Sequence, residues 1–372
     1  MKERPLRIAL VHPYVWPEVR RGGERYLDDL AWYLSGAGHR VDVVTATAPR
    51  TRVRRIHGAT VRAYRHRGSD ALARRGVTRV ETFGAIAFAA LLRRRYDVVH
   101  AFTPSAALAS RLAGQGTIYT VLGHPVPEIF PNAWARRLTA AAIRGAHAVA
   151  TLSRASAEQV RHAFGRDAHV LPPGVRLDVF RTGAGDRGVS PRVLFTSFPT
   201  DPNKGLGLLL SGVGLLLDRV PDARLALSCP GDVEKALILA DEKVRGAVDV
   251  LGVGEPESLP PLYRRANVTA LPSLHEAFGL TLIESLACGT PVVCTASGGM
   301  PEIVSRPEVG RVFAPGDAAG VARALEDAIL LSRDPRTRRR CRLHARRWGW
   351  LEGVGPAHEE LYRRLVRARG RP

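Results

Sequence analysis

The stretch Leu-Pro-Ser-Leu-His-Glu-Ala-Phe-Gly-Leu-Thr-Leu-Ile-Glu-Ser-Leu-Ala-Cys-Gly-Thr-Pro-Val-Val, residues 271–293, is the most informative part of this chain. It reads as the end of an apolar strand (268–271), a short polar loop, a helix and a second apolar strand (292–295). Gly279 lets the backbone turn tightly into that helix, and Gly289 ends it. A strand, a glycine-bearing loop and a helix start form an anion site, because free backbone N–H groups and the positive end of the helix dipole point outward.

Two carboxylates, Glu276 and Glu284, bracket the Ala-Phe-Gly-Leu-Thr-Leu-Ile run of this stretch. Eight positions separate them, about two turns of an α-helix, but Glu276 precedes the helix, so both side chains can face one ligand. We interpret each carboxylate as holding the hydroxyls of one sugar, with phosphate between the two sugars. The alternative is a Glu276 that caps the helix and a solvated Glu284. The glycine, the helix start and the following Gly-Thr-Pro-Val-Val strand favour the binding interpretation.

Composition limits the classes of protein. The chain has 372 residues, 45% of them hydrophobic, which suits two domains with a core each. Its apolar runs, such as 85–92, are short and end in charge, so we predict no membrane span. Residues 1–5 are charged and lead straight into a strand, which argues against a signal peptide. The four cysteines lack Cys-x-x-Cys spacing, which fits reduced thiols in a cytosolic protein.

The charge is strongly basic, with a formal net charge of +20. Basic clusters occur at residues 50–67, 93–95 and 336–347. Such clusters attract polyanions, and two interpretations stay open: peripheral contact with an anionic membrane, or a solvated surface in a protein from an arginine-rich proteome. We predict no nucleic-acid partner, because no recognition motif accompanies the charge.

Strands alternate with helices along the chain, which predicts an α/β fold with parallel sheets covered on both faces. A polar, glycine-rich linker at 181–191 separates two such cycles. The predicted strands are 6–12, 41–45, 98–101, 118–122, 148–152 and 169–171 in the first cycle, and 192–196, 223–228, 248–251, 268–271 and 292–295 in the second. The main predicted helices are 24–36, 206–219, 317–332 and 348–367.

Two further elements carry candidate binding residues. Lys204, in Asn-Lys-Gly-Leu-Gly, follows the first strand of the second cycle, where a flexible ammonium can neutralise a diphosphate leaving group. A solvated lysine is the alternative. Gly22 and Gly23 follow the first strand of the chain and open its first helix, where glycine permits close approach of a ligand to free N–H groups. Taken alone, the Gly-Gly pair predicts only a tight turn.

Together with Ser-Gly-Gly-Met-Pro-Glu-Ile-Val at 297–304, the segment 271–293 resembles the family-4 retaining glycosyltransferases (glycosyl transferases group 1) of the GT-B fold. The resemblance implies two doubly wound Rossmann-like domains facing an interdomain cleft. Residues 1–185 would bind the acceptor, residues 186–347 the nucleotide sugar, and a C-terminal helix, 348–372, would cross back to the first domain. It also implies an enzyme that moves a hexosyl group from a nucleotide diphosphate sugar to an acceptor hydroxyl with retention of configuration.

The resemblance assigns roles to individual residues. Glu276 would hold the transferred sugar, Glu284 the ribose hydroxyls, and Lys204 the diphosphate. His124, at a strand end, would lie near the reacting sugar, although a structural histidine is common at such a place. Gly254 lies in a loop that relatives use for the base. The predicted catalytic residues are thus Glu276, His124 and Lys204, and the predicted donor-binding residues are Tyr14, Gly22, Gly23, Lys204, Gly254, Glu276, Ala277, Phe278, Gly279, Leu280, Thr281 and Glu284.

One departure from the family pattern matters. Relatives have an arginine five or six residues before the lysine, and this chain has Phe198 and Pro199 there. The diphosphate charge is then left to Lys204 with another arginine, or to backbone N–H groups. The departure supports the alternative function, a catalytically degenerate GT-B protein that binds polyanions or a membrane surface. The intact Glu276, Glu284, Gly279 and Lys204 favour the enzyme.

Cofactor and partner predictions complete the interpretation. No acidic cluster such as Asp-x-Asp stands at a strand end, so we predict no metal and no other cofactor. The expected partners are a nucleotide-sugar donor and a hydroxyl acceptor. The acceptor is either a small molecule or a lipid-linked molecule, and in the second case the cytoplasmic protein would work at the inner face of the membrane. No nucleophilic carboxylate is evident in the first domain, which favours an internal-return mechanism in which the leaving phosphate takes the acceptor proton.

Overall fold

The computed structural model describes residues 4–47, 50–66, 78–123, 125, 130, 132–183, 185, 187–238, 240–252 and 258–370. The chain divides into two compact units. The first unit contains Met1–Gly174 and Trp350–Pro372, and the second unit contains Val175–Gly349.

The first unit is built on an eight-stranded sheet. Its strands are β1 (Arg7–Val11), β2 (Arg40–Thr47), β3 (Arg52–Ile56), β4 (Ala59–Arg65), β5 (Val98–Ala101), β6 (Thr117–Val121), β7 (Ala148–Thr151) and β8 (His169–Val170). They lie in the order β3-β4-β2-β1-β5-β6-β7-β8. Only the β3–β4 pair among these described strands is antiparallel. Strands β5 and β6 are buried at every residue, as expected for a parallel sheet with helices on both faces.

The helices of the first unit are α1 (Gly22–Gly36), α2 (Arg79–Leu92), α3 (Pro104–Leu112), α4 (Ala133–Gly145), α5 (Arg154–Phe164) and α14 (Gly355–Ala368), with a π-helical turn at Trp350–Val354. Side chains of Thr78, Thr103, Asn132 and Ser153 cap the starts of α2 to α5, because a short oxygen-bearing side chain satisfies an amide that the helix leaves unpaired. Helix α1 starts without a side-chain cap.

The C-terminal helix α14 packs within the first unit through buried polar pairs. The Tyr26 hydroxyl lies 2.7 Å from His358 Nε2, and the Tyr362 hydroxyl lies 2.6 Å from His100 Nδ1. Buried polar groups are costly unless hydrogen-bonded, so these pairs fix how the helix sits against α1 and β5.

The second unit is built on a six-stranded sheet in which every pair is parallel. Its strands are β9 (Arg192–Phe195), β10 (Arg224–Leu227), β11 (Val248–Val250), β12 (Val268–Leu271), β13 (Val292–Thr295) and β14 (Gly310–Phe313). Its helices are α6 (Leu206–Leu216), α7 (Val233–Leu237), α8 (Glu242–Gly246), α9 (Leu259–Arg265), α10 (Leu280–Ala287), α11 (Met300–Ile303), α12 (Ala318–Arg333) and α13 (Pro335–Ala345), with 3₁₀ turns at Pro202–Lys204 and Arg346–Trp348.

The strand order of the second unit is β11-β10-β9-β12-β13-β14, which is the 3-2-1-4-5-6 order of Rossmann-type sheets. The order reverses between β9 and β12, and ligands of such sheets bind outside the carboxyl ends of the strands at that reversal. The loops that follow β9 and β12 carry Lys204 and Glu276. The prediction of two doubly wound α/β domains is confirmed.

The start of the second unit differs from the boundary predicted at residues 185 and 186. Residues 175–185 belong to the second unit, although the linker was predicted at 181–191. The reason is a set of backbone contacts: Arg342 donates to the carbonyl oxygens of Leu177 and Phe180. These bonds tie the segment to helix α13.

Among the described residues, none of the helices combines the length and the apolar character that a membrane span requires.

Candidate functional site

The loop from β12 to α10 carries the first glutamate of the pair. Gly279 is the N-cap of α10 with φ at +111°, a conformation that side-chain-bearing residues rarely adopt. Gly298, at φ +55°, lies so close that a Cβ there would overlap with the Glu276 carbonyl oxygen. The Gly299 amide donates to the same oxygen over 3.1 Å. The 298–299 segment therefore holds the backbone at Glu276 through its carbonyl oxygen.

The loop after β9 presents Lys204 to that glutamate. Asp201 caps the 3₁₀ turn Pro202–Lys204 by accepting from the Asn203 amide, and the Leu274 amide donates to the Asn203 carbonyl over 2.8 Å. The last bond joins the β9 loop to the β12 loop. It places Lys204 Nζ 2.9 Å from Glu276 Oε2.

This lysine–glutamate pair is reachable from solvent, with 24% of the lysine side chain and 20% of the glutamate side chain exposed. Each partner can therefore be reached by a bound ligand. A phosphate ligand can take the ammonium while sugar hydroxyls take the carboxylate, so that each charged group keeps a partner.

Glu284 lies in a different environment from Glu276. It is on α10 and is buried, with 7% of its surface exposed. The hydroxyl of Tyr263, on α9, donates to Glu284 Oε2 over 2.9 Å. Burial and the neighbouring carboxylate hold the pKa of Tyr263 well above its usual value, so the phenol keeps its proton and stays a donor. The interpretation of a solvated Glu284 is wrong.

The residues between the two glutamates divide into packing residues and backbone donors. Ala277 and Phe278 are buried, and the Phe278 ring lies 6.4 Å from that of Trp348 in edge-to-face geometry. Leu280 and Thr281 begin α10, which has no side-chain cap. The first amides of an α-helix have no partner within the helix, so these two N–H groups can bind an anion.

In the first unit, Gly22 and Gly23 open α1, as predicted. A Cβ on Gly23 would lie 3.0 Å from Leu122 Cδ1, so the glycine also serves packing against the segment after β6. Since α1 lacks a side-chain cap, its start resembles that of α10 as a candidate anion site.

Tyr14 is half-buried in the loop after β1. His12, a residue that the sequence analysis did not single out, holds this loop: its Nδ1 lies 2.9 Å from the Tyr14 carbonyl oxygen and 3.2 Å from the Tyr14 amide nitrogen. Burial lowers the pKa of His12 to about 4. The Arg79 guanidinium lies 5.8 Å from the Tyr14 ring centre, at cation–π distance.

Two predicted residues, His124 and Gly254, lie outside the described residues, so their roles stay predictions. Phe198 is half-buried and Pro199 is buried. Within the described ranges, we find no group of three or more His, Cys, Asp or Glu side chains able to hold a metal ion. The expectation of a metal-free reaction stays a prediction.

Two family models match the chain, and between them they span both units. The model described as Glycosyltransferase Family 4 matches residues 20–179, and the model described as Glycosyl transferases group 1 matches residues 189–348. The chain belongs to glycosyltransferase family 4. The second match contains the Lys204 loop and the whole of the β12–α10 segment.

Curated relatives carry related names. This glycosyltransferase is 28% identical over 339 residues to a phosphatidyl-myo-inositol mannosyltransferase of Mycolicibacterium smegmatis, with 86% of this chain and 84% of that one covered. It is 36% identical over 181 residues to a D-inositol 3-phosphate glycosyltransferase of Corynebacterium jeikeium, with 43% of each chain covered. The chain spans less than two thirds of the length of most of these curated relatives.

Solved structures share the fold. A sucrose-phosphate synthase from Thermosynechococcus elongatus is similar with a TM-score of 0.79 and 21% identity, covering 97% of this chain and 99% of that one. The Anabaena protein HepE in complex with UDP-glucose is similar with a TM-score of 0.73 and 19% identity, covering 96% and 99%. At these identities the likeness concerns the fold, which is GT-B.

Proposed function

We propose that this protein is a retaining glycosyltransferase that moves a hexosyl group from a nucleotide diphosphate sugar to an acceptor hydroxyl. The observation that carries the proposal is the Lys204–Glu276 pair beside the uncapped start of α10. The ammonium and the N–H groups provide positive charge for a diphosphate, and the carboxylate provides an acceptor for sugar hydroxyls.

The donor would bind by exchanging partners within this pair. Lys204 turns from Glu276 to a phosphate oxygen, and Glu276 then accepts hydrogen bonds from the transferred sugar. The amides of Leu280 and Thr281 add donors at the helix start. Because the helix holds these two amides in place before the donor arrives, they stabilise the negative charge that develops on the leaving phosphate without reorganising.

In the transfer step, the bond between the anomeric carbon and the leaving phosphate oxygen breaks. The acceptor oxygen bonds to that carbon on the same face, and its proton moves to the leaving phosphate oxygen. This internal-return route retains the configuration and needs no enzyme nucleophile. We propose that Lys204 and the helix amides supply the charge that a divalent ion supplies in other transferases, so that the reaction is metal-independent.

The names of similar proteins guide the choice of donor and acceptor. The similar Anabaena structure holds UDP-glucose, and the curated relatives are named for transfer to inositol-based acceptors. UDP- and GDP-hexoses, with inositol phosphates and phosphatidylinositol as acceptors, are therefore the first substrates to test. The alternative of a degenerate polyanion-binding protein is less favoured, because the pair and the helix start are intact.

Membrane contact is a separate proposal. Positive charge supports it less than the sequence suggests, because some arginines of the basic clusters have partners within the protein. Within the cluster 336–347, Arg338 donates to the Gly183 carbonyl and Arg342 to the Phe180 carbonyl. Within the cluster 50–67, Arg52 and Arg54 pair with Glu18. Part of the positive charge thus has internal partners. Flotation with anionic vesicles tests the rest: binding that vanishes with salt supports peripheral contact.

The experiment that tests the function has two stages. Thermal unfolding is first measured with UDP, GDP, dTDP and ADP and with their hexose conjugates, and one nucleoside diphosphate should raise the unfolding temperature. The matching nucleotide sugar is then incubated with the acceptors above, and hexosyl transfer with retained anomeric configuration is expected. A protein that binds none of these nucleotides and hydrolyses none of the sugars would contradict the proposal.

A further inference from the structure

Tyr263 contacts the second glutamate of the pair, and the sequence analysis did not single it out. It lies on α9, outside the segment 271–293, and only 1% of its surface is exposed. Its hydroxyl donates to Glu284 Oε2 over 2.9 Å. A buried carboxyl group is costly unless hydrogen bonds compensate for lost water, so this donor helps to stabilise the buried Glu284 side chain.

The tyrosine is itself held from two directions. Its backbone carbonyl accepts from Thr290 Oγ1 over 2.6 Å, which links α9 to the segment between α10 and β13. Its ring packs against that of Phe180, with 6.1 Å between ring centres and 54° between the ring planes. Arg342 donates to the carbonyl oxygens of Phe180 and Ala287. One guanidinium thus links Phe180, which packs on the tyrosine ring, to the C-terminal end of α10, the helix that carries Glu284.

The phenol donates to Glu284 Oε2 in this position. Burial and the charge of Glu284 keep it protonated, and a protonated phenol facing a carboxylate oxygen has one useful orientation. This hydrogen bond restricts the rotation of the Glu284 carboxylate. A fixed carboxylate binds two adjacent hydroxyls better than a freely turning one, because less conformational freedom is lost on binding.

We propose that Tyr263 is a positioning residue for the donor: its hydroxyl orients the Glu284 carboxylate toward the ribose 2′- and 3′-hydroxyls of the nucleotide. This inference rests on the proposed function, and specifically on the ribose role of Glu284. The two glutamates then differ in the type of partner that each one has. Glu276 is paired with a cation that the donor displaces, whereas Glu284 is paired with a neutral donor that stays in place.

The test compares Tyr263→Phe with the parent, using UDP and GDP and their 2′,3′-dideoxy analogues as ligands in calorimetric titrations. The variant keeps the ring and its contact with Phe180, and loses only the hydroxyl. We expect its affinity for the nucleotide that the parent binds to fall about tenfold, as for the loss of one hydrogen bond to a charged group. Its affinity for the dideoxy analogue should equal that of the parent, because that ligand has no ribose hydroxyls to hold.

Kinetics provide a second readout. A ribose contact is made equally in the ground state and in the transition state, so Tyr263→Phe should raise the donor KM with little change in kcat. In a Glu284→Ala background the same substitution should have no further effect on nucleotide affinity, because the group it orients is gone.

A matched control is Tyr96→Phe. Tyr96 is also a buried tyrosine whose hydroxyl donates to a carboxylate, Asp42 Oδ2, over 2.7 Å, but it lies in the first unit. The Tyr96→Phe variant should therefore have the same nucleotide affinity as the parent. Thermal unfolding of all variants reports whether each one is folded.

The outcomes separate the inference from the function on which it rests. If the parent binds neither nucleotide, the proposed function and the inference both fail. If the parent binds and loses affinity for the dideoxy analogue, but Tyr263→Phe binds like the parent, the inference alone fails. It fails as well if Tyr263→Phe weakens the ribose and dideoxy forms equally, since that result shows a purely structural role.

Discussion

Lys204 Nζ lies 2.9 Å from Glu276 Oε2, although 72 positions separate the two residues in sequence. Each residue follows a strand of the second unit, and these two strands, β9 and β12, are neighbours in the sheet. Parallel pairing brings their carboxyl ends to the same edge, and the Leu274–Asn203 backbone bond closes the distance between the loops. The pair is thus a consequence of the topology at the reversal of strand order.

Replacing the lysine tests the diphosphate role. Lys204→Ala should weaken binding of the nucleoside diphosphate about 10- to 100-fold, because a charge-assisted hydrogen bond to phosphate is lost. The control is Lys243→Ala, which removes another lysine of the second unit, one that pairs with Asp218 at the surface. Titration calorimetry of the three proteins makes the comparison. Equal weakening by both variants, or by neither, would argue against a specific role for Lys204.

Gly298 tests how strongly the site depends on the backbone at Glu276. Gly298→Ala adds a Cβ that overlaps with the Glu276 carbonyl oxygen at a residue with φ +55°. We expect a loss of more than about 1–3 kcal/mol in the free energy of unfolding, the usual cost of left-handed strain, together with loss of transfer.

The matched control for that substitution is Gly316→Ala, at φ +76° with no atom within 4 Å of the added Cβ. It carries the strain of positive φ without the overlap. Denaturant unfolding and transfer assays should therefore show a smaller loss of stability and near-parent activity for Gly316→Ala. Two variants with the same losses would mean that the contact with Glu276 is unimportant.

Buried histidines of the first unit predict a pH dependence of stability. Burial lowers the pKa of His358 to about 4 from an unfolded value of about 6.5. Below pH 6.5 the unfolded chain binds a proton that the folded protein does not, so the contribution is full above 6.5 and falls as pH falls from 6.5 toward 4. The free energy of unfolding then changes by up to about 1.4 kcal/mol per pH unit for one proton.

The measurement is the thermal unfolding temperature at pH 7 and at pH 5. The parent should lose stability between the two, and His358→Gln should lose less, since glutamine can still accept from Tyr26 and donate to the Val354 carbonyl. His162→Gln, at an exposed position, serves as the control and should follow the parent. An unchanged pH response in His358→Gln would show that this histidine does not contribute.

Metal independence has a direct check. If Lys204 and the amides at the start of α10 supply the charge for the leaving phosphate, transfer should proceed at an unchanged rate in excess EDTA. The added metals Mg²⁺ and Mn²⁺ should then give no strong stimulation. A rate that collapses with chelator and returns with either ion would overturn this part of the mechanism.

Much of the fold follows from the apolar runs of the sequence. The predicted strands at 98–101, 268–271 and 292–295 match β5, β12 and β13 at both ends, because strands buried on both faces are continuous apolar runs. Strands β3, β4 and β14 were not predicted. Strand β3, Arg-Val-Arg-Arg-Ile, is largely exposed, and an exposed arginine-rich strand lacks the alternating pattern by which strands are recognised.

The C-terminal segment contains more than the single helix that the sequence predicts. The sequence predicts one helix over 348–367, whereas the structure has a π-helical turn at Trp350–Val354 before α14. A Cβ on Gly355 would overlap with the Trp350 carbonyl oxygen, so the chain passes close to itself at this point. Such a close approach is a tertiary contact, and helical periodicity does not report it.

The candidate site could be predicted only in part. Glu276, Glu284, Gly279 and Lys204 have a local signature in strand, glycine and helix order. Their partners do not, because the Tyr263–Glu284 bond and the Lys204–Glu276 pair join elements that are distant in sequence. The one available signal for Tyr263 was a tyrosine in a short helix that enters an apolar strand, a place where a buried hydroxyl requires a partner.

The most direct measurement is the rate of hexosyl transfer by Glu276→Ala beside its affinity for the free nucleoside diphosphate. Glu276 is proposed to bind the sugar and not the nucleotide, so transfer should fall by about 100-fold or more, equivalent to about 2.7 kcal/mol of transition-state stabilisation. Affinity for the nucleoside diphosphate should be kept or increased, because Lys204 loses its competing partner. Transfer within a few fold of the parent by a folded Glu276→Ala protein would contradict the account.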